Sequence, residues 1–274
     1  MIGVIKMEYY NDIVKKRNSC RMFSGKKVDD DVLVEIRKYY EDEESDLVDG
    51  IKTELKFYFG NVYDALSKSV GYNGYCIKAP AYMLLFSDPA EHFLENAGYL
   101  AQGITLKMTE LGLSACWMTI NDAAATKAAL GEDTDMVLAC AIAFGYRDEN
   151  NDEKKAPKKS LDELTDGKKF GKDVDTTLWY EELEYGLRAM AHAQSFGNRQ
   201  PYKVLVDDTK IYLVGLEDPE TNEYDTHLNY GIVMFNFYAV MAAVRANAPK
   251  WSFDAPEHDL GLPSNAVYVA KCGF

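Results

Sequence analysis

Two stretches decide the fold, GYLAQGITLKMTELGLSACW (98–117) and GIVMFNFYAVMAAVRANAPKW (231–251). In each, a glycine opens a long apolar helical run and a tryptophan closes it, 19 positions later in the first and 20 in the second. Each tryptophan is followed by a loop and then by an apolar strand-like segment that ends in glycine plus an aromatic, Gly145–Tyr146 and Gly273–Phe274. Order, spacing and terminal punctuation agree together, which is the signature of an internal repeat. Each half is expected to be an α+β layer unit, with the two long helices packed against each other.

Outward from these anchors, residues 8–17 read as a short helix, and Asp29 or Asp30 is placed to cap a second one over VLVEIRKYYE (32–41). An acidic patch, EDEESD (41–46), precedes a mixed stretch to about residue 78. AYMLLFSD (81–88), behind Pro80, suits a buried strand, and 95–111 a long helix with Gly112 as its C-cap. SACWMTI, an alanine-rich helical stretch and the strand-like VLACAIAFGY (137–146) follow. Residues 148–177 are polar, charged and glycine-bearing, the best boundary in the chain, which gives a first half over 1–170 and a shorter second half over 176–274. The second half is expected to hold a helix at 179–193, a hairpin about Asp207–Asp208, the helix 228–246 and a last strand, AVYVAKCGF.

At roughly 150 residues per domain, 274 residues leave room for one domain or two. Thirty basic against 44 acidic residues give a net charge of −14, which disfavours sequence-independent binding to nucleic acid. The 47% hydrophobic and 27% charged content is that of an ordinary folded protein, neither disordered nor fibrous. The longest uncharged run, Leu228–Val244, falls short of the roughly 18 residues of a membrane span and carries Asn229 and Asn236, so a buried core helix is expected and no membrane partner. MIGVIKMEYYND lacks a secretory signal, so the mature protein is expected to start there, with the cytoplasm as default location. Five scattered cysteines without a C-x-x-C pair read as reduced thiols, and four histidines without ligand spacing give no reason to expect a metal.

Four segments carry chemistry. RNSCR (17–21) sets two guanidinium groups and a hydroxyl close together, a candidate phosphate clamp; a solvated helix end is the other reading. AQSFGNRQPY (193–202) offers polar amides at a helix end that could hydrogen-bond a heteroaromatic ring, or it is a helix C-cap and turn. LGLSACWM (111–118) brings a slim backbone and a tryptophan after a long helix, suited to a flat ligand or to core packing. KKAPKK (154–159) supplies counter-charge to a phosphate, or is a solvated loop.

Together these segments resemble the nitroreductase family of flavin enzymes. Arg17, Ser19, Arg21 and Phe23 stand in the register of its Arg-x-Ser-x-Arg-x-aromatic motif; Ser195, Asn198, Gln200, Pro201 and Tyr202 match its Ser-x-x-Asn-x-Gln-Pro-aromatic motif, but in the second half. Gly112–Trp117 is similar to the Gly-Leu-Gly-x-Cys-Trp segment, and Gly145–Tyr146 with Pro157–Leu164 to the closing Gly-Tyr and basic stretch. The resemblance covers nearly the whole chain. Two departures stand out: Lys158 or Lys159 falls where many relatives use arginine, and Gln194 replaces the usual proline before the serine. The stretch from Thr53 to Lys78, which often shapes the substrate pocket, does not align.

The resemblance implies an α+β, nitroreductase-like fold whose two repeats are fused as an intramolecular pseudo-dimer. Family members are normally homodimers with FMN at the subunit interface, and here the two motifs are divided between the halves with one of each lost. It further implies one FMN, with its phosphate on Arg17, Ser19, Arg21 and Lys158 or Lys159, beside Asn18. Gln194, Ser195, Phe196 and Asn198 would cover the ring, and the backbone from Trp117 through Met118 to Thr119 would approach its reactive nitrogen. NADH or NADPH would be co-substrate and an electron-poor small molecule, such as a nitroaromatic or a quinone, the acceptor. No catalytic side chain is expected, and a monomer is. A flavin carrier or sensor without turnover, and a same-fold enzyme of different chemistry such as reductive dehalogenation, are the alternatives.

Overall fold

The computed structural model describes residues 9–41, 46–72, 75–244 and 248–274. Within them the chain divides into two units, Lys16–Lys155 and the described part of Met1–Lys15 with Ala156–Phe274. The boundary lies within the polar connection but earlier than the 170–176 expected from composition, because residues 160–166 already build the second unit's secondary structure. Most of the EDEESD patch, 42–45, lies outside the described residues.

In the unit Lys16–Lys155 the elements are α1 (Asp30–Tyr40), β1 (Thr53–Phe59), α2 (Tyr63–Leu66), β2 (Ala81–Ser87), α3 (Phe93–Glu110), β3 (Ser114–Met118), α4 (Ala123–Leu130) and β4 (Val137–Gly145). The strands form one antiparallel sheet in the order β1-β2-β4-β3. AYMLLFS reads as a continuous apolar run because β2 is central and every residue of it is buried. Tyr82, Leu84 and Phe86 join Leu66, Cys116, Met118 and Ala141 in one cluster on one face. The alternating residues Ala81, Met83 and Leu85 point to the other face, where α3 packs on β2, β3 and β4. Helix α3 ends in a Schellman turn: the Leu113 N–H donates to Met108 O at 2.8 Å, the Gly112 N–H donates to Thr109 O at 3.1 Å, and Gly112 takes φ +78°. The strand β1 had no clear alternation in the sequence, and its half-buried pattern shows why: it is an edge.

The second unit contains α5 (Leu161–Leu164), β5 (Thr165–Asp166), α6 (Glu181–Ala191), β6 (Tyr202–Val206), β7 (Lys210–Leu216), α7 (Glu223–Ala242), β8 (Trp251–Ser252) and β9 (Ala266–Gly273). The short N-terminal helix expected at 8–17 is one π-helical turn, Tyr10–Val14. A capping box between Ser160 and Glu163 starts α5, and β5 then pairs parallel to β6. The sheet order is β5-β6-β7-β9-β8. Without β5 this repeats β1-β2-β4-β3, with the long helix inserted at the same place. Even the irregularity recurs. The β2–β4 register slips between Leu85 and Phe86, leaving Ala139 extra, and the β7–β9 register slips between Leu213 and Val214, leaving Val269 extra.

In this unit α7 packs so closely that a Cβ on Gly215 of β7 would lie 1.9 Å from the Tyr230 hydroxyl oxygen. Gly215→Ala is therefore expected to destabilise the protein by about 2–3 kcal/mol through overpacking, read as a lower midpoint in urea. An unchanged midpoint would contradict this packing.

Candidate functional site

RNSCR is neither a helix end nor a loose loop. Residues 17–23 run extended beside the sheet, with Ser19 bridged in parallel to Ala115 of β3 and Phe23 in antiparallel to Arg147 after β4. The Cys20 N–H donates to Ala115 O at 3.1 Å, and the Ser24 N–H to Tyr146 O at 2.9 Å. The candidates Arg17, Asn18, Ser19 and Arg21 are thereby brought alongside Trp117 and Met118, as neighbouring strands of one unit.

Their side chains differ in state. Arg17 is 8% exposed, and its Nη1 finds no hydrogen-bond partner among the described residues. Burial pulls its pKa down to about 10, with the Cys116 thiol opposing. A buried charge without a carboxylate partner is costly, by several kcal/mol. Trp117 Nε1, also buried, has no acceptor either. Arg21 by contrast is exposed and engaged: its backbone N–H donates to Glu153 Oε2 at 3.0 Å and its Nη1 to Glu153 Oε1 at 3.4 Å. Asn151 Nδ2 donates to the same Oε2 at 2.9 Å, and Arg147 Nη2 to the Glu153 carbonyl at 3.1 Å. Burial would raise the Glu153 pKa, but the Arg21 amide, Asn151 and the Arg21 guanidinium hold it below the usual range. Glu153, Asn151 and Arg147 were not singled out in the sequence, where they are unremarkable members of a charged connection.

At the far end of β3, the Gly71 N–H donates to Thr119 O at 2.8 Å and Asn121 Nδ2 donates to Gly71 O at 2.8 Å. The unaligned stretch is thus pinned beside Met118 and Thr119. Gly71 is required there: it takes φ +129°, and a Cβ would lie 2.4 Å from Tyr75 O.

The remaining candidates lie in the second unit. Helix α6 stops at Ala191, so 193–202 is a loop with one 3₁₀ turn, Phe196–Asn198, rather than the helix end the sequence suggested. Gly197, Asn198 and Gln200 all take positive φ, +55°, +56° and +50°. The loop is held from within: the Gln200 N–H donates to Ser195 Oγ at 2.8 Å, Gln200 Nε2 to Ala191 O at 2.7 Å, and Tyr202 OH to Met190 O at 3.0 Å. Lys158 Nζ donates to Ala193 O at 2.9 Å and Asn198 Oδ1 at 2.5 Å, and Lys159 Nζ to Tyr202 O at 3.1 Å. The two lysines therefore meet the 193–202 loop. Gln194 is buried, and the Phe196 N–H donates to Asn229 Oδ1 of α7 at 3.2 Å. Asn229, polar in an apolar helix, was the one visible sign in the sequence of that last contact.

A family model described as "Putative TM nitroreductase" matches residues 10–241. The chain belongs to this nitroreductase family. A crystal structure described as a putative nitroreductase from Thermotoga maritima superposes with a TM-score of 0.60 at 16% identity, over 96% of this chain and 92% of that one. The α+β fold is thus the nitroreductase fold. A nitroreductase from Desulfovibrio desulfuricans in complex with FMN matches at TM-score 0.46 and 23% identity, over 54% of this chain and 91% of its own. An FMN-dependent nitroreductase from Mycobacterium smegmatis in complex with NADPH matches at 0.44 and 15%, over 52% and 89%. No curated protein matches significantly. No helix among the described residues is long and apolar enough to cross a membrane.

The uncompensated Arg17 charge has a measurable consequence in this nitroreductase-family chain. Its folded pKa of about 10 lies below the ordinary arginine value, so the unfolded chain binds more protons between the two. The penalty is complete at neutral pH and relaxes as pH rises through about 10. Arg17→Met is expected to stabilise the ligand-free chain by about 1–3 kcal/mol at pH 7, seen as a higher Tm. A lower Tm would show that the charge is compensated.

Proposed function

We propose that this chain is an FMN-dependent oxidoreductase that takes hydride from NADH or NADPH and passes it to an electron-poor small molecule such as a nitroaromatic or a quinone. The observation that carries the reading is Arg17: a buried guanidinium with a bare Nη1, beside Ser19 on an extended segment. A phosphate monoester supplies the anion and the acceptor oxygens that this group needs. FMN fits that demand, and when bound it would supply the two-electron chemistry.

The chain's own residues would hold and orient it. Arg17 and Ser19, with Arg21, engage the phosphate; Asn18 lies between them. The backbone of Trp117, Met118 and Thr119 would approach the ring, and the Trp117 Nε1–H offers a donor that the described residues leave unused. Gln194, Ser195, Phe196 and Asn198 are assigned to the ring, presented by a loop that Lys158 and Lys159 brace. The bracing of the loop and the pairing of the RNSCR segment with β3 each fix polar groups within their own unit, which lowers the ordering cost of binding. No side chain is assigned as acid or base.

The two units are read as copies of one ancestral unit, supported by their common strand order and register slip. A chain that carries both copies is expected to be a monomer. Size-exclusion chromatography with light scattering at 30.9 kDa agrees with that, and a dimer overturns it.

The deciding experiment is an anaerobic titration of purified protein with FMN and then with NADH or NADPH. One FMN per chain, bleached rapidly by a nicotinamide, is expected. Bound flavin that stays oxidised overturns the reductase in favour of a carrier, and no binding overturns FMN. Arg17→Ala is expected to weaken FMN by about 1.5–3 kcal/mol, the loss of a charge-assisted hydrogen bond. Unchanged affinity would place the phosphate elsewhere.

A further inference from the structure

The connection after β4 folds back over RNSCR and brings a carboxylate to it. The Asp148 N–H donates to Met22 O at 3.2 Å, Asn151 Nδ2 to Met22 O at 3.2 Å, and Arg147 Nη2 clamps the Asn151 Oδ1 at 3.1 Å. This scaffold delivers Glu153 to Arg21, where one carboxylate oxygen takes the Arg21 amide and the other its Nη1. The geometry of the two arginines is therefore unequal. Among the described residues no anion pairs with Arg17, whereas Arg21 already has one from its own chain.

We propose that Glu153 is an internal rival for the FMN phosphate, occupying Arg21 in the ligand-free chain and setting how tightly FMN is held. This rests on the reading of RNSCR as the phosphate site. A carboxylate and a phosphate both seek the donors of Arg21, and their like charges repel at close range. Binding then requires Arg21 to exchange or share its partner, so part of the attraction to phosphate is offset by the loss of the Glu153 contact. The 3.4 Å Nη1 contact, longer than an ideal charged hydrogen bond, and the 55% exposure of the Arg21 side chain make that exchange easy. The Arg21 backbone bond to Glu153 can persist meanwhile, and the Cys20 N–H bond to Ala115 O keeps the segment on β3. Arg17 would thus supply permanent attraction, and Glu153 would moderate it.

The test is FMN affinity of the full chain, measured by flavin fluorescence for wild type, Glu153→Gln, Arg21→Ala and the double variant. Gln keeps an acceptor for the Arg21 amide, and thermal melts check that each variant folds. Glu153→Gln is expected to tighten FMN on the order of tenfold, with no gain in the Arg21→Ala background, since the rivalry acts through Arg21. Riboflavin, which lacks the phosphate, is the control: its affinity should not change. Unchanged or weaker FMN binding in Glu153→Gln overturns the proposal while leaving the FMN reading intact. An equal gain without Arg21, or an equal gain for riboflavin, overturns it as well. If neither wild type nor Glu153→Gln binds FMN, both readings fall.

Discussion

In each unit a buried asparagine on the long helix holds a loop, the one after α1 in the first unit and the one after α6 in the second. Asn96 Oδ1 of α3 accepts the N–H groups of Leu47 and Val48, each at 3.0 Å, and Asn229 Oδ1 of α7 accepts the Phe196 N–H. Both asparagines stand two residues before the glycine that opens the repeat, Gly98 and Gly231. Each asparagine oxygen is satisfied by the loop's amides and those amides by the oxygen, so the loop and the helix fix each other. Loops cannot otherwise be buried, because their amides would lose water without replacement. The layer of helix on sheet thereby dictates where the 193–202 loop lies within its unit.

That loop is costly by itself. Two non-glycine residues, Asn198 and Gln200, sit in left-handed conformations, each worth on the order of 1–3 kcal/mol of strain. Gln200, 2% exposed, offsets this with bonds from its amide to Ser195 and from its side chain to Ala191 and the Tyr202 hydroxyl. Asn198 is drawn in by Lys158 and by its own Nδ2 bond to Pro157 O at 2.8 Å. The motif letters Ser, Asn and Gln thus describe, first of all, a brace. Their polar atoms build a loop whose backbone direction is fixed.

Much of the fold was legible in the sequence, and for a physical reason. Central strands buried on both faces read as apolar runs, as at 81–87 and 137–145, and helices closed by glycine read clearly, as at Gly112. What was hard to read lay at edges. Strand β1 pairs on one side only, β5 and β8 are two residues long, and α6 ends two residues before the helical pattern does. For the candidate site, residue types and spacing named the RNSCR segment, but not its conformation. The helical reading failed because strand-like pairing to Ala115 outweighs local preference, a tertiary effect that no window of seven residues contains. Glu153 was hidden for the same reason, since it meets Arg21 across 132 positions of chain.

The two units are alike in strand order but unlike at the tryptophan that closes each long-helix repeat. Trp251, the tryptophan that closes the second repeat, donates its Nε1–H to Met234 O at 3.0 Å. Trp117, which closes the first, has no acceptor among the described residues, and Arg17, whose Nη1 has none there either, lies on the segment beside its strand. A buried donor left unpaired costs about 1–3 kcal/mol and a charged one more, so the paired Trp251 is the less costly arrangement of the two tryptophans. The Trp117 and Arg17 donors lie on and beside one strand, β3, which supports the reading proposed above for RNSCR. The contrast lies at the two tryptophans: the unit that keeps the arginine motif leaves the Trp117 donor open among the described residues, where Trp251 of the other unit donates to Met234.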